Sequence, residues 1–390
     1  MPGIKDRVAV AGVGYTRYGE RWESDAEDLL VEAVDEACAD AGIEQSDIDA
    51  IWVGIFYPFS GMAGTGAADP LKIFGKPATR VENYCASGMD AFRNACYAVA
   101  SGVVDVALAC GVEKITDQGG TGLPAIGGRG HPVMPTPSAP AMFALAATRS
   151  FHVHGWTKED LAQVAVKNHA NGVHHPKAHF RRAITVEQAV SAPIVAWPLG
   201  RFDCCAVSDG AAAVIITRPE TAKNLAHADD FVRVKANALA VHTAWPMFKS
   251  SMDYLGFPAT RDAAALAYEE AGVKDPAREI SFAEVHDCFT ITEILNYQDL
   301  GFCKEGEGVH LLREGQTSPG GSIPVNVSGG LKCFGHPIGS TGCRMIVEST
   351  KQLQGRADGV QVADATLGLA HNLGGPGAVC SVTILGRNDV

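Results

Sequence analysis

Four short segments hold the residues whose types and spacing could do chemistry. Cys85 lies in Val81-Glu82-Asn83-Tyr84-Cys85-Ala86-Ser87-Gly88, where a strand gives way to a helix within three residues. Such an elbow sets the thiol beside the unpaired N–H groups of a helix start, which favour an anion, so its pKa is expected to fall. A thiol placed this way is a candidate nucleophile, and Gly88 permits another backbone to approach it. Gly335-His336-Pro337-Ile338-Gly339-Ser340-Thr341-Gly342 fixes a histidine between glycine and proline, where it cannot sit inside a helix. His336 is therefore a rigidly held candidate base. His286-Asp287-Cys288-Phe289 follows an apolar strand expected at 280–285, and ligands of α/β folds bind at that end of a strand. Cys288 there could shuttle a proton. His371-Asn372-Leu373-Gly374-Gly375-Pro376-Gly377 clusters glycines whose exposed N–H groups could form an oxyanion hole. Each segment also has a plainer reading: a buried structural cysteine, a turn histidine, an edge-of-core thiol, a simple glycine turn.

These segments need a scaffold, and the periodicity describes one. Strands are expected at 7–14, 47–55, 78–83 and 104–111, with helices at 24–42 and 87–101. On the first helix Leu29, Leu30, Ala33, Val34 and Ala37 recur at helical spacing, and Gly42 suits its end. Residues 36–42 (EACADAG) and the strand after them are echoed by 266–272 (LAYEEAG) and strand 280–285. The strand–elbow–helix–strand unit around Cys85 is echoed by 325–355 and a strand at 363–369. Repeated β-α-β units make the class α/β. A loop-rich, histidine-rich insertion separates the parts of the first half, about 115–200. The halves are expected to divide as 1–235 and 236–390.

Composition limits the functions available. The chain has 390 residues, 43 of them glycine, 11 cysteine, and a formal net charge of −12. An acidic balance argues against nucleic acid as a partner, and no apolar run is long enough to span a membrane. The opening MPGIKDRVAVAGVG lacks a signal-peptide layout and the closing GRNDV is no address signal, so a cytoplasmic protein with free thiols is expected. Gly12-Val13-Gly14 lacks the third glycine of a dinucleotide fingerprint, since Arg17 stands there. Pro176 interrupts His174, His175 and His179, and no metal site is expected. Cys204-Cys205 read as core. Lys177, Arg181 and Arg182 form the one compact basic cluster, either a solvated face or a phosphate-binding rim.

Cys85 on its elbow, Ser208-Asp209-Gly210-Ala211-Ala212, GHPIGSTG and the NLGGPG turn occur in thiolase order along essentially the whole chain. Together they resemble the thiolase family, and HDCF resembles its sterol-carrier-protein-type branch. The resemblance implies a five-layer α-β-α-β-α fold of two duplicated halves with an inserted loop domain. It also implies a coenzyme A-dependent acyltransferase that cleaves 3-ketoacyl-CoA or condenses acyl-CoAs, with no permanently bound cofactor. Cys85 would carry the acyl group, His336 would accept its proton, and Cys288 would act at the carbon. Asn372-Leu373-Gly374 departs from the family's usual Cys-x-Gly, which leaves Cys288 to supply the second thiol and His286 to replace an asparagine. One oxyanion hole would use the N–H groups of Cys85 and Gly374, the other His336 and His286. Lys177, Arg181 and Arg182 would bind coenzyme A phosphates. Met142, Phe143, Trp245 and Phe248 would shape the acyl pocket. A homodimer or tetramer is implied, and relatives pair with a small OB-fold and zinc-ribbon protein. The competing readings are an acyltransferase or aldolase working with such a partner, and a non-catalytic scaffold subunit.

Overall fold

A computed structural model of the chain describes residues 3–57, 64–118, 138–243 and 252–390. β1 (Ala9–Tyr15) leads into the helix Ala26–Ala41. Asp25 caps that helix: its side chain accepts from the Asp28 N–H at 2.8 Å, and Asp28 accepts from the Asp25 N–H at 3.1 Å. Gly42, at φ 72°, ends it in the left-handed region. Its apolar stripe is buried, at roughly 1.5–3 kcal/mol for each large side chain. The chain continues through β2 (Ala50–Gly54), β3 (Ala78–Val81), the helix Ser87–Ser101 and β4 (Val106–Glu113). Next come a hairpin of β5 (Ile194–Ala196) and β6 (Leu199–Gly200), then β7 (Gly210–Thr217) and β8 (Val232–Val241). The remainder comprises β9 (Phe282–Val285), β10 (Leu367–Gly374), β11 (Val379–Arg387) and the helices between them.

Nine of these strands form one sheet in the order β3-β2-β4-β7-β1-β8-β11-β10-β9. Outward from the centre, β1-β7-β4-β2 repeats as β8-β11-β10-β9, so the duplication in the sequence is a duplication of topology. The two halves of the sheet join where Ala9 pairs with Arg233 and Val10 with Val232, with backbone bonds from the Asp6 N–H to the Val234 carbonyl and from the Val234 N–H to the Val8 carbonyl beside them. The helix Ala26–Ala41 covers β1 and β7 on one outer face. The helix Pro258–Ala271 covers β8 and β11 on the other. Between the half-sheets lie the helices Ser87–Ser101 and Ile338–Leu353, which touch each other and strands of the sheet. Every residue of Ile338–Leu353 is buried, polar ones included. That makes five layers, and it explains why β4, β7, β10 and β11 are almost continuously buried.

Two expected boundaries move. Residue 235 lies inside β8, the counterpart of β1, so the halves meet ahead of Val232. The last apolar strand was expected at 363–369, but β10 begins at Leu367 and runs to Gly374. Pairing with β9 on one side and β11 on the other carries its ladder beyond the apolar run. His371 and Asn372 are thus strand residues. The insertion between β4 and β7 holds the helices Ala139–His154 and Lys158–Gly172. The latter packs on the helices Thr290–Asp299 and Gly330–Phe334 of the second half. Among the described residues, no helix is long and apolar enough to cross a membrane.

Candidate active site

The elbow that carries Cys85 is locked by its own neighbours. Ser87 Oγ accepts from the Asn83 N–H at 2.9 Å and donates to the Tyr84 carbonyl at 2.5 Å. This pins the turn on which Tyr84 takes a positive φ of 51°, a cost that over-determined functional turns commonly carry. Cys85 is half-buried at the start of the helix. Burial pushes its thiol up to about 12; the N–H groups of Gly375 and of Cys85 itself pull the other way, and the Glu113 carboxylate adds to the rise. The expected fall in thiol pKa is therefore overturned: desolvation outweighs the helix start. The N–H that reaches the sulfur is that of Gly375, one residue beyond the expected Gly374. Gly374 is the last residue of β10, paired with Val379.

His336 is held by two bonds, and a third fixes the direction of one of them. Its N–H donates to the Ala206 carbonyl at 3.2 Å. The Thr341 hydroxyl donates to the Pro337 carbonyl at 3.0 Å, so its oxygen must accept from His336 Nδ1–H at 2.7 Å. Nε2 is left as a bare lone pair, buried and without a hydrogen-bond partner. His286 has the opposite tautomer: the Asn372 amide donates to its Nδ1 at 3.1 Å, which leaves the proton on Nε2. The two imidazoles stand edge to face with centroids 4.9 Å apart. Burial, then the Arg344 cation, lowers His336 to about 3. Burial, then His336, His371 and Arg344, holds His286 well below the ordinary histidine range. Both rings are neutral at rest. One ligand-type atom each from Cys85, His286 and His336 lies within 4.8 Å of the others.

Cys288 is buried across the same pocket, its sulfur 3.8 Å from Thr292 Oγ1, and burial holds its thiol well above the ordinary range. Asp287 turns away from the pocket and caps the helix Gly330–Phe334. It accepts from the N–H of Leu331 at 2.7 Å, from that of Lys332 at 3.2 Å and from the Asn168 amide at 2.8 Å. The HDCF segment is thereby tied to the helix that precedes His336. The cavity between these groups is narrow, ≈ 30 Å³, lined by Cys85, Cys288, His286, Phe143, Met142 and Phe289 among others. Two expected pocket residues, Met142 and Phe143, are therefore in place; Trp245 and Phe248 lie outside the described residues.

The expected basic cluster divides. Lys177 Nζ is committed to Glu36, at 2.5 and 2.6 Å, and to the Tyr15 carbonyl at 2.6 Å. Adjacency in sequence placed it with the arginines; the fold sends it the other way. Arg181 and Arg182 line a separate cleft of ≈ 640 Å³ with His169, Phe180 and Phe202. Of the three discounted histidines, His175 reaches Glu348 at 3.1 Å and His179 reaches Ser208 Oγ at 2.7 Å.

Four further residues matter that sequence reading did not single out. Glu113, at the end of β4, accepts backbone N–H groups of Phe56, Tyr57 and Gly339 at 2.9–3.0 Å, joining β4 to the loop after β2 and to the start of the helix Ile338–Leu353. An acidic residue closing an apolar strand was its only signal. Thr341 and Asn372 set the two histidine tautomers. Cys205, expected as core, neighbours the pocket: its N–H donates to the Cys288 carbonyl at 2.9 Å, and Asp287 and Cys85 are among the groups that act on its thiol.

The chain matches two family profiles. Residues 8–220 match the thiolase N-terminal domain and residues 240–387 a thiolase C-terminal domain-like profile. It is 40% identical to an acetyl-CoA acetyltransferase of Methanothermobacter thermautotrophicus, over 97% of this chain and 99% of that one. It is 33% identical to the benzoylsuccinyl-CoA thiolase subunit BbsB of Thauera aromatica, over 95% and 96%, and 32% identical to human sterol carrier protein 2, over 97% and 72%. A solved structure named Ltp2-ChsH2(DUF35) aldolase superposes with a TM-score of 0.86 at 25% identity, covering 99% of both chains. With the Cys85 elbow, a rigid histidine and a glycine turn converging from two duplicated halves, the chain belongs to the thiolase family and is an acyl-CoA-handling acyltransferase.

Proposed function

We propose that Cys85 carries the acyl group as a thioester, with His336, His286 and Cys288 each acting at a defined atom. The observation that carries this reading is the buried, unpartnered Nε2 of His336, on a ring with a nitrogen within 4.8 Å of the Cys85 sulfur. Cys85 attacks the thioester carbonyl of an acyl-CoA and its proton passes to His336 Nε2. Thiol and imidazole are both neutral at rest, so the transfer accompanies carbon–sulfur bond formation instead of preceding it. The carbonyl oxygen becomes an oxyanion beside the N–H groups of Cys85 and Gly375, and the coenzyme A thiolate leaves with a proton. In condensation, Cys288 takes a proton from the methyl of a second acetyl-CoA. In thiolysis it returns one to the departing enolate. The enolate oxygen is met by His286 Nε2–H, with the His336 ring beside it. Arg181 and Arg182 of the neighbouring cleft suit coenzyme A phosphates; Lys177 does not belong to that set.

The reading extends to a cytoplasmic enzyme of lipid-type acyl-CoA metabolism, at least a homodimer. Among the described strands β3 ends the sheet with an unpaired edge, which suits pairing with a second copy. A small OB-fold and zinc-ribbon partner remains part of this proposal, as does the aldolase alternative. The simultaneous presence of Cys85, His286, Cys288 and His336 favours thiolysis over either.

Two variants test the roles. Cys288→Ala is expected to accept an acetyl group from acetyl-CoA, seen by intact-protein mass spectrometry. Its carbon–carbon step should slow by about 10²–10⁴-fold; near wild-type turnover would remove Cys288 from the mechanism. Thr341→Val frees the His336 ring to take the wrong tautomer. Its kcat should fall about tenfold, the equivalent of roughly 1.4 kcal/mol, with KM unchanged, and Thr341→Ser should restore it. An unaffected kcat in the valine variant would show that Thr341 does not set the base.

A further inference from the structure

Cys85, His286 and His336 have a second competence that their acyl chemistry does not require. We propose that they form a binding site for a thiophilic divalent cation, with Zn²⁺ as the probe, that closes the nucleophile reversibly. A thiolate and two imidazoles are a donor set that such ions select, and three protein ligands leave a fourth position open. Their ligand atoms lie within 4.8 Å of one another. Zn–S near 2.3 Å and Zn–N near 2.0–2.1 Å would bring them to roughly 3.5 Å, an inward movement of side chains with no change of fold.

The second, independent observation is the state of the ring nitrogens. His336 is fully buried, yet its Nε2 lone pair has no partner, and its Nδ1–H is already anchored on Thr341. An outer hydrogen bond of that kind fixes the tautomer a metal-bound imidazole needs. His286 carries its proton on Nε2, so it must move that proton to Nδ1 before binding. The structure holds a place for this: Asn372 Oδ1 is buried and unpartnered, and a flip of the amide presents that oxygen to His286 Nδ1–H. The pocket beside these residues is lined by Cys288 and Met142 as well. Binding breaks the Cys85 S–H bond, forms a sulfur–metal bond and releases one proton to the buffer. The same sulfur cannot then carry an acyl group, so metal and acetyl-CoA exclude each other. The nearby charges oppose one another: Arg344 repels the ion, while Glu113 attracts it and Glu284 offsets Arg344 at 3.5 Å.

The test uses the full chain. Wild type is titrated with Zn²⁺ against a chromophoric chelator, and with Co²⁺ while the near-ultraviolet thiolate-to-cobalt band is followed. One equivalent should bind, with Mg²⁺ giving nothing. Cys85→Ala should abolish the cobalt band, and His286→Asn and His336→Asn should each weaken Zn²⁺ by about tenfold or more. Enzyme acetylated beforehand should bind no metal at this site. Cys303→Ala, a change at a thiol outside the pocket, should bind as wild type does. Retention of the band in Cys85→Ala, equal weakening by Cys303→Ala, or no binding to wild type overturns the proposal. Acetyl transfer measured without metal is a separate readout: if it persists while metal binding fails, only the metal site is lost. If metal binds at Cys85 but no acetyl is transferred, only the acyl-transfer reading is lost.

Discussion

Cys85→Ala forms no acyl-enzyme and loses turnover by a factor on the order of 10⁴ or more, as expected when a covalent nucleophile is removed. The expectation is strict because the pocket contains other thiols. Cys288 is buried beside Cys85, and Cys205 is bonded through its backbone to Cys288. Either sulfur could accept an acyl group if proximity alone mattered. What sets Cys85 apart is its surroundings: two backbone N–H groups that favour its anion, and a ring nitrogen of His336 within 4.8 Å of the sulfur. Incubation with acetyl-CoA followed by intact mass and peptide mapping decides the matter. Wild type should carry one acetyl group, on Cys85. A stable acetyl group on Cys205 or Cys288 of the alanine variant would assign the nucleophile elsewhere. Cys85→Ser should be nearly as inactive, since a hydroxyl is harder to ionise than a thiol already held at about 12.

Gly339→Ala should destabilise the protein by about 3 kcal/mol or more, the upper range for overpacking, because the clash is with backbone that cannot rotate away. A Cβ on Gly339 would overlap the Gly54 carbonyl and lie 2.8 Å from the Val112 carbonyl oxygen. Reciprocally, a Cβ on Gly88 or on Gly111 would overlap the Gly339 carbonyl. The three glycines let the start of the helix Ile338–Leu353 seat against β4 and the start of the helix Ser87–Ser101. Forcing them apart also breaks the 2.9 Å bond from the Gly339 N–H to Glu113 and withdraws His336 from Cys85. Urea denaturation would measure the loss, and residual folded protein should have lower kcat. Gly355→Ala is the comparison, at a positive φ of 70° with open space around it, and should cost about 1 kcal/mol. A Gly339→Ala protein as stable as wild type would mean that the contact is not the seat of the helix.

The residues most legible in the sequence were those that punctuate the chain. Cys85, His336 and the HDCF segment sit where glycine, proline or an abrupt polar run interrupts an apolar one. Such interruptions mark element ends, where α/β sites lie. What depends on the third dimension was not legible. The sign of the Cys85 shift came out reversed because a helix start is visible in sequence while burial is not. Glu113 and Gly339 are 226 residues apart, and no local pattern links them. Gly375 instead of Gly374 faces the sulfur because the β10 ladder runs to Gly374 and the turn begins only after it. Lys177 was misplaced because proximity along a chain says nothing about which way a loop turns. Cys205 was hidden because its apolar context is identical to that of a core residue.

The seam between the two half-sheets has a consequence for the newly made chain. The sulfur comes from the first half, whereas both imidazoles, the second thiol and the Gly375 N–H come from the second. A ribosome therefore completes the nucleophile long before it completes anything able to activate it. Until the halves dock, Cys85 lacks the His336 ring and the Gly375 N–H that the proposed acyl transfer uses. Assembly of the proposed site is thereby tied to completion of the fold.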